Sequence, residues 1–246
     1  MKLRRDEMER YDRQIRIGSL GLEGQLKLKG AKVAVAGAGG LGCSATVYLA
    51  AAGIGHMTII DEENVELSNL NRQIGHWNRD IGTAKADSLS EKIRELNPGV
   101  ELEPVTERIT LGTVRDLIFG STVVLDCMDN WETRFMLNKA CVAARIPLVH
   151  AGVHSLYGQI TTVLPGNGPC LRCILPETPQ SEDRIPVLGV TAGTLGLLEA
   201  LEAIKIITGM GQPLVGRMLY FDGETTSFYE INVSKREDCP VCGSKK

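Results

Sequence analysis

The sequence predicts a doubly wound α/β fold, with a Rossmann-like, mostly parallel sheet covered by helices on both faces and extended by antiparallel strands in its C-terminal third. Three observations carry this. An apolar run, Lys32-Val33-Ala34-Val35-Ala36, leads into a glycine-rich turn, Gly37-Ala38-Gly39-Gly40-Leu41-Gly42, and then into an alanine-rich helix. Near-continuous apolar strands then alternate with helical segments as far as His150, the pattern of a parallel sheet buried on both faces. Beyond His150 apolar and polar residues alternate between turn signals, which predicts antiparallel strands.

The elements follow in order. Charged helices occupy the first thirty or so residues. The helix from Leu41 to Ala52 stops at Gly53, and His56 to Ile60 forms the second strand, closed by Asp61. Thr83 to Leu96 reads as a helix stopped by Asn97-Pro98-Gly99. Thr122 to Asp126 reads as a buried strand, Trp131 to Ala144 as a helix and Pro147 to His150 as a strand. Gly158 to Val163 alternates, and Arg217 to Asp222 with Ser227 to Val233 makes a hairpin around Gly223-Glu224. Between them, Thr191 to Thr208 is a packing helix ending at Gly209, with Glu199, Glu202 and Lys205 expected on its outer side. Pro176 to Pro186, rich in proline and charge, is expected to be a mobile loop. The 246 residues suit one domain, made of N-terminal helices (1–30), a nucleotide-binding core (31–150) and an antiparallel extension (151–246).

A net charge of -3 gives no basic field for nucleic acid, and no apolar run is long enough to span a bilayer. Basic residues at the N-terminus have no apolar stretch behind them, so the expectation is a cytoplasmic protein with reduced thiols. Of seven cysteines, Cys43, Cys127 and Cys141 lie in apolar runs and read as small buried hydrophobes. Cys170/Cys173 and Cys239/Cys242 form two C-x-x-C pairs about sixty-five residues apart, the spacing of a closed four-thiolate zinc (Zn2+) site that ties distant segments together. A redox-active pair is the alternative, and the reducing compartment disfavours it.

In Gly-x-Gly-x-x-Gly, the glycines (Gly37, Gly39 and Gly42, with Gly40 beside them) let the backbone approach phosphate, and the following helix offers unpaired N–H groups. Asp61, at the end of the second strand, is placed to accept from ribose hydroxyls. A nicotinamide enzyme needs little more, whereas a triphosphate demands cations and a metal. Arg72 closely follows Asn69, Lys85 opens a helix, and Asp126 and Asp129 straddle a strand end, where such sheets bind ligands. Singly, Lys85 could be a solvated helix residue, Arg72 a surface ion pair and Asp129 a helix cap. Together they point to ATP.

These residues resemble the MoeB/ThiF/HesA group, the bacterial relatives of ubiquitin-activating enzymes. The resemblance runs from about Arg10 to Gly243. It rests on Arg10-Tyr11-Asp12-Arg13-Gln14, Gly37 to Gly42, Asp61, Ser68 to Gln73, Lys85, Asp126 to Asn130 and the two cysteine pairs. It implies that the C-terminal glycine carboxylate of a ubiquitin-like sulfur carrier ending in Gly-Gly attacks the α-phosphorus of ATP, giving an acyl adenylate and pyrophosphate. By similarity, Gly39 and Asp61 hold the adenosine, Asn69, Arg72 and Lys85 contact the phosphates, and Gln73 and Asn130 belong to the nucleotide site. Asp129 holds magnesium (Mg2+), and Arg13 reaches into the partner's site of a homodimer.

The chain also departs from the group. Several relatives carry a reactive cysteine before the helix at Thr191, but Ile185 to Gly193 contains none. The expectation is therefore an enzyme that stops at the adenylate and relies on a separate sulfur donor, a sulfurtransferase or cysteine desulfurase, since no rhodanese-like segment is present. Other readings are a relative activating a tRNA-nucleoside carboxylate, a nicotinamide-dependent oxidoreductase and a non-catalytic nucleotide-binding module. The pathway, whether thiamin, molybdopterin, cysteine or tRNA thiolation, is left open. His150 and His154 read as packing or strand-end residues.

Overall fold

A computed structural model describes residues 2–179 and 185–243. Five strands run parallel: β1 (Lys32–Ala36), β2 (His56–Ile60), β3 (Glu101–Val105), β4 (Val123–Asp126) and β5 (Leu148–His154). Three more, β6 (Tyr157–Val163), β7 (Arg217–Asp222) and β8 (Ser227–Asn232), continue the sheet antiparallel, in the order β3-β2-β1-β4-β5-β6-β7-β8. The helices are α1 (Arg5–Arg10), α2 (Asp12–Ile15), α3 (Gly21–Gly30), α4 (Gly40–Ala52), α5 (Lys85–Leu96), α6 (Val114–Leu117), α7 (Trp131–Ala144), α8 (Leu171–Ile174) and α9 (Gly189–Thr208).

The central strand shows why both faces are covered. In β1, Val33 and Val35 point into one core with Leu28, Leu49, Ile93 and Leu195, which belong to α3, α4, α5 and α9. Ala34 and Ala36 point the opposite way, into a second core with Val114 and Leu137 from α6 and α7. Such two-sided burial removes the polar face that alternation would otherwise require. Helix ends follow local chemistry: α4 stops at Gly53 and α9 at Gly209, both left-handed, and Asn130 caps α7 by accepting from Thr133 N at 2.9 Å.

The predicted architecture is present, with three differences. β3 is an additional edge strand beside β2, and β5 runs on to His154, turning directly into β6 through Ser155, whose φ is 56°. The loop expected over Pro176 to Pro186 falls in part on 180–184, outside the described residues. The third difference corrects the reading of α9. Glu199 and Glu202 are buried, not outward, because α9 lies over β5 and β6 and packs along α4. A Cβ on Gly196 would come 2.3 Å from the Leu41 carbonyl oxygen, so the two helix backbones nearly touch. Glu202 is satisfied by the Thr162 hydroxyl and the Leu214 N–H, both 2.7 Å from Oε2, and by Lys205 Nζ at 2.6 Å from Oε1. Glu199 takes the Cys127 thiol at 3.4 Å on Oε2 and lies by the Ala151 N–H, and among the described residues its Oε1 is a buried atom without a close hydrogen bond. Burial, reinforced by Asp126, pushes its carboxyl well above the ordinary carboxylate range.

Candidate active site

Strand order reverses between β1 and β4, so the connections leaving their carboxyl ends diverge and open a crevice there. The turn after β1 fills one side of it. Gly37 has φ +98°, and a Cβ there would sit 2.7 Å from the Cys127 carbonyl oxygen. At Gly42 the Cβ would come 1.9 Å from the Gly37 carbonyl oxygen, so only glycine closes this turn. Asp61, just past β2, is tied to it: Oδ2 accepts from Ala38 N at 2.7 Å and Oδ1 from Glu63 N at 2.9 Å. Burial raises its pKa, and these N–H groups with Lys85 work against that rise.

The segment after Asp61 brings the cations in. A 3-10 turn, Leu67–Asn69, is fixed by Asn69 Oδ1 accepting from Glu66 N at 2.9 Å. Arg72 follows half-buried, its Nη1 donating to the Ser68 carbonyl at 2.9 Å and Asn71 Oδ1 at 3.1 Å. Its backbone carbonyl lies 3.4 Å from where a Cβ on Gly40 would stand. Gln73 is buried above Gly39: its Nε2 is 3.7 Å from the position of a Gly39 Cβ, and its Oε1 is orphaned among the described residues. An unpaired buried amide beside an unfilled glycine cradle suits a polar ligand in the crevice. Lys85 opens α5, buried, with Nζ 2.5 Å from Glu63 Oε2.

Across the crevice, β4 ends in two acids that part company. Asp126 is fully buried and paired with His150 Nδ1 at 2.7 Å. Asp129 is exposed, with Asn130 Nδ2 3.5 Å from its Oδ1. Because Asn130 is the helix cap, Asp129 has no capping duty and its carboxylate is available to a cation. Arg134 pins the turn between them, donating Nε and Nη2 to the Met128 carbonyl at 3.1 and 2.5 Å. His150 thus belongs to the packing and its pKa is lowered by burial, against the pull of Asp126.

Arg13 is elsewhere. Gln14 Nε2 donates to the Ala52 carbonyl at the far end of α4 at 2.7 Å, and Tyr11 is buried there with its hydroxyl accepting from Asn97 Nδ2 at 2.9 Å. Since α4 begins at the glycine turn and thirteen residues span about 20 Å, Arg13 is exposed at the edge opposite its own crevice.

The four knuckle cysteines do converge. Cys170 and Cys173 flank the start of α8, Cys239 and Cys242 come from the tail, and their sulfur atoms lie within 4.8 Å of one another. A tetrahedral ion with Zn–S bonds of about 2.3 Å needs sulfurs somewhat under 4 Å apart; Cys170 and Cys239 are at 3.7 Å. The Arg236 N–H points at Cys173 Sγ at 3.4 Å. Sequence reasoning passed over Arg134 and His76, each of which holds a backbone carbonyl of the site. A side chain that bonds to a carbonyl leaves no spacing signature.

A glycine turn at the strand-order switch, a carboxylate on the next strand and cations converging from the loop beyond define a nucleotide-binding protein of the doubly wound class. The chain belongs to the ThiF family, whose model matches residues 11–241. It is 43% identical over 243 residues to the SAMP-activating enzyme E1 of Haloferax volcanii, covering 96% of this chain and 89% of that protein. It is 44% identical over 250 residues to the adenylyltransferase and sulfurtransferase MOCS3 of Drosophila sechellia, covering 99% of this chain and spanning 55% of that protein. In fold it resembles E. coli MccB crystallised with MccA-N7isoASN, with a TM-score of 0.88 at 23% identity, over 96% of this chain and 75% of that one. No helix among the described residues is long and apolar enough to cross a membrane.

Proposed function

We propose that this chain is an adenylyltransferase that activates the C-terminal glycine of a ubiquitin-like sulfur carrier. The observation that carries the reading is the convergence of the glycine turn, Asp61, Lys85, the Arg72 segment and Asp129 on one crevice, in a member of the ThiF family. The names of its relatives, an activating enzyme and an adenylyltransferase, agree with it. The carrier's carboxylate oxygen bonds to the α-phosphorus of ATP while the bond from that phosphorus to the pyrophosphate oxygen breaks. Bringing one anion onto another is the obstacle, so the site must neutralise charge and hold the reactants in line.

Asp61, its position fixed by two N–H groups, faces the ribose, and the Gly39 turn lies along the phosphates. Lys85 is held ready by Glu63 and exchanges that carboxylate for phosphate oxygens. Arg72, on a turn braced by Asn69, neutralises the pyrophosphate that leaves. Gln73 directs its free amide oxygen and Nε2 at the same space, and Asn130 orders the turn carrying Asp129. A magnesium ion on Asp129 would supply further positive charge to the phosphoryl oxygens. Arg13 completes the site of the partner in a homodimer. Zinc in the four-thiol knuckle is structural, since four ligands leave no open position. The whole chain acts as one adenylation domain, with sulfur delivered by a separate donor in the cytoplasm.

ATP–pyrophosphate exchange with a panel of carriers ending in Gly-Gly tests the reading. Exchange is expected with one carrier and is lost, by about three orders of magnitude, in Asp129→Ala. Absence of exchange with every carrier would sink it.

A further inference from the structure

The glycine turn is held from behind by a buried polar chain that the proposed chemistry does not use. Lys92 Nζ pairs with Asp80 Oδ2 at 2.5 Å and donates to Ser88 Oγ at 3.1 Å. Ser88 Oγ lies 2.9 Å from His76 Nδ1, and His76 Nε2 lies 2.9 Å from the Ala38 carbonyl oxygen. All four side chains are buried. The proton positions follow from what each group can do. A carbonyl only accepts, so Nε2 carries a proton. An ammonium only donates, so Ser88 accepts from Lys92, while its own O–H lies between two acceptors, the Asp80 carboxylate and Nδ1. The Ala38 carbonyl therefore places a proton on His76 Nε2, and burial beside Lys85 and Lys92 disfavours the imidazolium that a second proton on Nδ1 would make.

The consequence lies one bond further on. The Ala38 carbonyl takes a second inward bond, from the Cys43 thiol at 3.2 Å, while the Ala38 N–H is held by Asp61 Oδ2 at 2.7 Å. The peptide is trans, so with its carbonyl drawn inward the N–H of Gly39 must point the other way, out of the protein side and toward the crevice. That N–H makes no hydrogen bond among the described residues, as expected of the residue before a helix.

We propose that His76 is a positioning residue for the nucleotide: by holding the Ala38 carbonyl, it aims the Gly39 N–H at the phosphates and fixes it relative to the Asp61 carboxylate that faces the ribose. The inference rests on the reading of the crevice as an ATP site. His76 touches no substrate. It acts through one peptide plane, with Ser88 against its other ring nitrogen.

Isothermal titration of ATP into wild type, His76→Phe and His76→Gln tests this, together with the 15N spectrum of His76 in the wild-type protein. Phenylalanine fills the space but cannot donate, so Kd for ATP should rise about tenfold, the effect of one lost hydrogen bond, with kcat at saturating ATP nearly unchanged. Glutamine keeps an N–H for the carbonyl and should restore Kd to within about threefold of wild type. The spectrum should show protonated Nε2 and bare Nδ1. Equal affinity in all three proteins, equal loss in both variants, or an Nε2 without a proton each overturns the inference. Should His76→Phe fail to fold, the tautomer and His76→Gln still decide. No ATP binding by wild type would overturn the adenylation reading and this inference with it, whereas loss confined to the phenylalanine variant upholds both.

Discussion

Cys43 and Cys127 sit beneath the glycine turn and Cys141 in the core under α7, and burial strips all three of nucleophilicity. Desolvation pushes the Cys43 thiol up to about 12, and Cys127 and Cys141 are raised as well, Cys127 further by Glu199 and Asp126. Iodoacetamide at neutral pH should therefore leave all three unmodified in the native, metal-loaded protein and label them only after denaturation, as read by peptide mass spectrometry. Labelling of any of them in the native state would reopen a covalent transfer step. Glu199 offers a second test. Its carboxyl is neutral in the folded chain but ionises in the unfolded chain above its ordinary value of 4.5, so unfolding releases a proton and stability falls as pH rises between that value and the raised folded one. Glu199→Gln has no such proton to lose. Whatever its offset, its stability relative to wild type should grow with pH, by up to about 1.4 kcal/mol per pH unit. Urea unfolding of both proteins at mildly acid and neutral pH measures the slope, and parallel curves would mean that Glu199 is charged when folded.

At the scale of elements, what could be read in the sequence divides by how a segment earns its place. The glycine turn, β1, β2 and β4 were legible because their signals are local: apolar runs, a turn only glycine can close, and an acid at a strand end. β3 was not, because Glu101-Leu102-Glu103-Pro104-Val105 is a polar edge strand with no buried residue that gains its register from β2 alone. The side of α9 was misread because its two glutamates suggest solvent, whereas the helix is covered by α4 and the sheet and pairs one of them internally. Asp129 and Asn130 show the same limit on a smaller scale, since which of two neighbours caps α7 is a matter of one backbone angle. The knuckle was legible as spacing, and it makes its own prediction. It packs in the core formed by Ala34, Val124 and Leu137, on the α7 side of the sheet, the face opposite α5, which carries Lys85. Chelation, or Cys239→Ser, should lower the thermal midpoint by on the order of 10 °C while ATP affinity changes little. A parallel collapse of both would tie the knuckle to the pocket.

For the whole molecule, the decisive fact is that Arg13 and Asp129 lie at opposite ends of α4 within one chain. If each site draws Arg13 from one protomer and Asp129 from its partner, Arg13→Ala and Asp129→Ala are both inactive alone, but mixed subunits regenerate one intact site per heterodimer. Random exchange should recover about a quarter of wild-type exchange activity, measured after co-refolding; no recovery would rule out a site shared between subunits, and an active Arg13→Ala would place Arg13 outside the chemistry. The sheet also carries a consequence for how the chain is made. Of its strands β1, the middle one of the five parallel strands, leaves the ribosome first, and later strands add outward on either side, so a growing chain always has a finished edge to extend. The knuckle runs against that order: one thiol pair precedes α9 and the β7–β8 hairpin, and the other follows them. An ion held by all four thiols could be gripped only after β8 has been delivered, so capture of a metal there would mark the moment at which all eight strands of the sheet have been made.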